Sequence, residues 1–430
     1  MKPVLVIHVD SLRREYVSNW LLGQAFKRAG YRVIMTSRTS TPYLFRVFIP
    51  DLVILSHVFA LHPAEMTALI KRNVKVYINE VEGVTEDEAG IASTYPPGYI
   101  DYGLFAGIFV WSQWSRDWLI KCRNLDPQRV HVTGSVRNSV VAKRKETRAV
   151  PIVGILSRFE LINTFDGRHN FQNLLEIDPE DDALCWYYDR CAIDSEAFSI
   201  VSKLISVLTA QGIAVSIRPH PNENVRSYSL LQKKFGPLFS VDESYDLNEW
   251  LSKVSVIVGP VSTAYTEAYL AKVPIVSTHG IQKCHYRGVD RVKIINAFSR
   301  AAYMPKTVDD AVALCMSSSL RPLDSPALND YFDNFYSIGN RADPIDEITG
   351  IVGRDVAAWC IPKRPIFRCL GPTLKYLIDV ASLLRGVLTR HPLDSLRKMH
   401  QYNFSAILHS PNAFMKKLDT EKFNQAPSAK

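Results

Sequence analysis

Short β-branched runs alternate with longer amphipathic stretches along most of this chain, and that alternation restricts its fold more than any other feature. Val4–Val9, Arg32–Thr36, Leu52–Ser56, Lys75–Ile78, Ile108–Trp111 and Val130–Thr133 read as strands. Parallel strands need a crossover to reach their neighbours, so strand and helix taking turns predicts a parallel sheet covered on both faces. The pattern breaks at the polar stretch Val140–Val150, read as an interdomain linker ahead of Pro151. It then restarts with strands at Ile152–Leu156, Ala214–Arg218, Leu238–Val241, Val254–Val258 and Pro274–Ser277, and helices near Ser195–Ala210, Asn224–Phe235, Asp246–Lys253 and Ser262–Ala271. Between them, Phe165–Asp194 reads as a long irregular loop. At 430 residues the chain exceeds one ordinary core. The expectation is α/β: two doubly wound, Rossmann-like domains, 1–145 and 146–342, facing across a cleft. A return helix at 343–360 and a basic tail at 361–430 follow.

Charge then narrows the partners. A formal charge of +8 asks for something anionic: nucleic acid, a membrane surface or a phosphorylated substrate. Basic and aromatic residues do not interleave in a compact motif, which disfavours nucleic acid. Seven cysteines without a Cys-x-x-Cys fit neither a disulfide framework nor a zinc site. No apolar stretch approaches the ~18 residues of a spanning helix. The opening run Val4–Val9 stops at Asp10, too short for a signal peptide, so the chain is expected in the cytoplasm.

Missing motifs narrow the chemistry further. There is no Gly-x-Gly-x-x-Gly after the first strand and no Gly-x-x-x-x-Gly-Lys-Ser/Thr, the signatures of dinucleotide oxidoreduction and P-loop phosphoryl transfer. An Asp-x-Asp pair and a His/Cys metal cluster are also missing, which favours a metal-independent site.

Three segments carry candidate chemistry. In Arg218-Pro219-His220-Pro221, prolines lock a strand-end turn and fix the aim of His220, which beside Arg218 is placed to meet a phosphate. The alternative is a histidine that only hydrogen-bonds its own turn. Ser262 and Thr263 follow a strand where a helix starts, so they either cap that helix or hold a phosphate or carboxylate. Glu267, one turn later, either accepts from a ribose diol or completes a capping arrangement. Glu80 and Glu82, in Asn79-Glu80-Val81-Glu82-Gly83, would face the cleft from the first domain as a general acid or base, unless they are simply solvated loop acids.

In their order, these segments resemble bacterial surface-carbohydrate glycosyltransferases of the GT-B fold. The resemblance is strongest to surface carbohydrate biosynthesis proteins and extends to bacterial sialyltransferases, polysialyltransferases and capsule Kdo transferases. It implies that Glu82 supplies the catalytic carboxylate, that His220 contacts the CMP phosphate, and that Ser262 with Thr263 holds the donor. The first acid of the family's acidic pair is Val81 here, with Glu80 one place earlier, so both Glu80 and Glu82 stay candidates. Arg218, Pro221 and Glu267 complete the expected nucleotide site. The implied reaction moves a CMP-activated acidic sugar, Kdo or a nonulosonic acid, onto a lipid-linked or growing glycan. UDP-sugar or CDP-glycerol transfer on the same scaffold is the rival, as is a non-catalytic nucleotide- or glycan-binding protein of an export assembly.

The tail adds a membrane expectation. Between 361 and 400, Lys363, Arg364, Arg368, Lys375, Arg385, Arg390, Arg397 and Lys398 outweigh Asp379 and Asp394. Leu374, Leu377, Ile378, Ala381, Leu384, Val387 and Leu388 recur at helical spacing. Such a stripe either lies on an anionic membrane, peripheral at the inner face, or packs back on the first domain.

Overall fold

The computed structural model describes residues 2–38, 40–81, 88–142, 152–164, 167, 183–244, 246–285, 300–337, 343–359, 373–374, 377–378 and 381. The first sheet contains β1 (Val4–Val9), β2 (Arg32–Ser37), β3 (Leu52–Leu55), β4 (Lys75–Asn79), β5 (Gly107–Val110) and β6 (Val130–Val132). Their order is β2-β1-β3-β4-β5-β6, and every pairing is parallel. The second sheet holds β7 (Ile152–Leu156), β8 (Ala214–Arg218), β9 (Phe239–Val241), β10 (Val256–Gly259), β11 (Ile275–Ser277) and β12 (Ala302–Tyr303). It is again parallel throughout, in the order β12-β11-β10-β7-β8-β9.

Central strands are buried on both faces, as β1 and β5 show along their whole length, because helices cover each side. The helix Leu12–Arg28 stops where Gly30, at φ 93°, turns the chain into β2. A second core gathers Ile155, Ile217, Val258, Leu204 and Leu208. Gly259 is required at the end of β10: a Cβ there would lie 2.3 Å from the Leu156 carbonyl oxygen. That approach draws the loop after β10 against the end of β7.

Two departures from the sequence reading have physical causes. Ala183–Ala210 is one helix, so residues from 183 onward are not the irregular loop expected up to Asp194. Its start is mostly apolar and aromatic but carries Asp189, Arg190 and Asp194, and Arg190 pairs with Asp194 at 2.7 Å and with Glu160 at 2.7 Å, so that charge is buried rather than solvated. The two-residue strand β12 carries too little pattern to be recognised in advance. The stretch read as a linker begins as helix, since Val136–Ala142 runs into it, and 143–150 lies outside the described residues.

The return helix Pro344–Ala357 leaves the second domain and packs on the first. Ile345, Ile348, Ile351 and Val352 join Leu5, Ile7, Leu22 and Phe26 in one core. Burying four such side chains stabilises by roughly 6–12 kcal/mol as an upper figure. Tyr77 adds a hydroxyl hydrogen bond to Asp355 Oδ2 at 2.9 Å. Trp111, at the end of β5, crosses the other way and packs in the second domain's cluster with Trp250 and Tyr336. Of the tail's stripe, Leu374 and Ile378 pack against the first-domain core, whereas Leu377 is exposed. Among the described residues no helix is long and apolar enough to cross a membrane.

Candidate active site

Parallel sheets offer ligand sites beyond the carboxyl ends of their strands. Here the ends of β1 and β2 face those of β7, β8 and β10 across a cavity of about 250 Å³. Its lining includes five arginines, Arg13, Arg14, Arg38, Arg137 and Arg218, against three acids, Asp10, Asp246 and Glu267. Arginines thus outnumber acids in the lining, although Arg14, Arg38, Arg137 and Arg218 each pair with a carboxylate.

The second-domain wall is pinned from beneath. Glu223 is fully buried and accepts from the Ser157 hydroxyl at 2.6 Å, the Phe159 N–H at 2.5 Å and the Tyr228 hydroxyl. Burial pushes its carboxyl up, against the opposing charge of His220. Ser157 in turn accepts from the His220 N–H at 3.0 Å, so the turn before Pro221 hangs on this buried acid. Nδ1 of His220 sits between Glu160 Oε2 at 3.1 Å and the Asn222 N–H at 3.3 Å, which fixes the ring plane in either tautomer. Burial alone would raise Glu160, but His220, Arg190 and Arg158 bring it down to about 2, a permanent anion behind the imidazole. Arg218 is buried beneath the turn, bonded to Asp242 and to Ser244 Oγ at 3.0 Å. Arg158 reaches over to the Val261 carbonyl at 3.0 Å and ties the loop after β10 to this wall.

That loop brings Ser262 and Thr263 into the cavity. Ser262 Oγ accepts from the Ala264 N–H at 3.3 Å, while the Thr263 side chain makes no capping bond. Glu267 lines the cavity too, but its carboxylate is held by Arg137 from the first domain rather than by the helix start. Arg137 also lies 3.5 Å from the Val81 carbonyl, so one guanidinium links the two domains at the mouth of the site.

Arg218, His220, Pro221, Ser262, Thr263 and Glu267 thus share one cavity. Glu80 does not join them. Glu80 is 5% exposed and absent from the lining; its carboxylate accepts from the Tyr95 hydroxyl at 3.0 Å and its carbonyl from Trp111 Nε1 at 2.5 Å. The expectation that it faces the cleft is corrected: two aromatic donors turn it into the domain. Glu82 lies outside the described residues.

Instead, a polar cluster that sequence reasoning passed over stands on this wall. Asp10, after β1, lies 3.4 Å from His57 Nε2, 3.3 Å from Arg14 and 3.6 Å from Arg38. Burial would raise Asp10, but His57 and Arg14 pull it down to about 2. His57, after β3, is opposed by burial yet raised above its ordinary value by Asp10, Glu80 and Glu15. His8 beneath them is fully buried, bonded to Ser56 Oγ at 2.6 Å, and burial with the His57 charge lowers it to about 3. The available signal was polar His8 and Asp10 inside or just after an apolar strand, followed by Arg13-Arg14-Glu15.

No protein-family profile matches the chain, and no curated protein matches it in sequence. Solved structures do. An S. aureus MnaA–UDP co-structure aligns with a TM-score of 0.50 at 13% identity, covering 84% of this chain and 98% of that one. A Methanocaldococcus jannaschii UDP-GlcNAc 2-epimerase with UDP-GlcNAc and UDP aligns at 0.48 and 11%, covering 82% and 99%. The wall teichoic acid polymerase TagF aligns at 0.41 and 9%, covering 82% and 89%. At these identities the likeness concerns the fold: two parallel α/β domains of the GT-B type.

Proposed function

We propose that the chain is a nucleotide-sugar glycosyltransferase that moves an acidic sugar, Kdo or a nonulosonic acid, from its CMP derivative onto a bacterial surface glycan. The observation that carries this reading is the arginine-rich cavity in which His220, with Glu160 behind it, stands beside Arg218, Ser262 and Thr263. Cationic side chains and aimed donors stabilise a leaving phosphate and can take the place of a divalent metal there. His220 and Arg218 would hold that phosphate, Ser262 and Thr263 its oxygens, and Glu267 the ribose once Arg137 yields it. The resemblance assigns the acid–base carboxylate to Glu82. An acid sugar suits the surplus of arginines, since its own carboxylate adds a second negative group. The basic tail at 361–430 is proposed to meet anionic lipid at the inner membrane face, where a lipid-linked or growing acceptor would be found.

Mass spectrometry of products from a panel of CMP-Kdo, CMP-N-acetylneuraminate, CDP-glycerol and UDP-GlcNAc tests the reading. Release of CMP with sugar transfer supports it; turnover of UDP-GlcNAc alone, the ligand class of the epimerase above, overturns the donor assignment. Activity should survive EDTA. Loss of turnover restored by magnesium would contradict the metal-independent site.

A further inference from the structure

We infer that Asp10 is the acceptor-side catalytic carboxylate, accepting the proton of the attacking hydroxyl, and that His57 is the positioning residue that tunes it. The inference rests on the transfer reading above and gives the base role to Asp10 in place of the Glu82 that the resemblance implies.

Three observations converge on it. Among the described residues Asp10 is the first-domain acid that lines the cavity opposite His220, whereas Glu80 is bonded to Tyr95 away from it. Its backbone is fixed, because the Asp10 N–H donates to the buried Glu15 Oε2 at 3.0 Å. Its carboxylate is aimed by cations on three further elements: Arg14 on the helix after β1, Arg38 after β2 and His57 after β3. A reactive group held this way loses little orientational freedom when substrate arrives.

The step balances within the two substrates. The acceptor oxygen forms a bond to the anomeric carbon, and the bond from that carbon to the phosphate oxygen breaks. The electron pair leaves with the nucleotide phosphate, opposite His220 and Arg218. The acceptor proton moves to Asp10 and from there to solvent. The groups facing Asp10 set its basicity: His57, Arg14, Arg38, neutral His8, buried Glu15 and, through His57, Glu80. Loss of the His57 proton removes one positive charge beside the carboxylate and makes it the stronger base. The rate should therefore rise with pH through the titration of His57, above the ordinary histidine value.

The test measures nucleotide release from the panel's active donor, with water as acceptor, alongside CMP affinity by calorimetry. Asp10→Asn should lower kcat by about 10²–10⁴-fold, the usual weight of a general base, with CMP affinity kept. His57→Gln should remove the pH-dependent step from the kcat profile. Should Asp10→Asn fail to fold, the His57→Gln profile decides alone. A folded Asp10→Asn with wild-type kcat, or a His57→Gln profile that retains the step, overturns the inference while leaving the transfer reading intact. A wild type that releases nucleotide from no donor overturns both.

Discussion

The two walls of the cleft are built on opposite plans. The second-domain wall comes mostly from contiguous sequence: Arg218 to Asn222 form one turn, held from below by Glu223 only three residues after His220. The first-domain wall is assembled from ends of separate strands, with Asp10, Arg38 and His57 brought together by the pairing of β1 with β2 and β3. The first plan fixes a local shape through turn chemistry. The second fixes an electrostatic balance through topology, and only the fold reveals it.

The comparison breaks most visibly at His220. His220→Ala should cut turnover by about 10²–10⁴-fold if the imidazole also carries a proton, and a smaller loss would reduce it to a phosphate contact. Wild-type turnover in a folded variant would remove the second wall from the chemistry altogether.

The pin beneath that wall comes next. Glu223→Ala strands the Ser157 and Tyr228 hydroxyls and the Phe159 N–H, and should cost about 3 kcal/mol or more of unfolding free energy. Urea denaturation checks this. A loss well under 1 kcal/mol would mean that the turn is held elsewhere. On the first wall the buried Glu15 holds the Asp10 N–H and Arg14, while the charges of Asp10, Arg38 and His57 hold one another, so truncating one of those three should act more on chemistry than on stability.

A pH dependence separates the walls as well. His8 has a folded-state value of about 3 against 6.5 in the unfolded chain. Between those values the unfolded state binds more protons, so stability falls as pH drops from 6.5. The slope is about 1.4 kcal/mol per pH unit for this one group. His8→Asn should flatten the stability curve between pH 6 and 4 relative to wild type, and parallel curves would contradict the assignment. Glu160, held at about 2, contributes on the other wall in the same direction but lower: its share is present above the ordinary carboxylate range and is lost as pH falls towards 2.

These contrasts explain what was legible in advance. Strand positions were readable because β-branched runs bounded by polar turns have few alternatives; Val4–Val9, Ile152–Leu156 and Ala214–Arg218 coincide with observed strands. His220 was readable because two prolines mark its turn. Glu160 was not: it follows its own strand by four residues and meets His220 only because β7 and β8 are neighbours. Glu267 was noticed but its partner was not, since Arg137 lies on another domain, 130 residues away. Asp10 and His57 were hidden for the same reason. The helix start at Ala183 is hard to read because it follows a polar stretch and its Arg190 and Asp194 are buried as an ion pair rather than solvated.

Isothermal calorimetry of CMP and UDP with the wild type and with His220→Ala tests the central claim most directly, that the arginine-lined cleft binds the nucleotide phosphate on its second-domain wall. The account predicts that the wild type binds CMP in preference to UDP and that His220→Ala weakens the CMP interaction while leaving the fold intact. Equal CMP affinity in the two proteins, or no binding of either nucleotide to the wild type, would contradict it.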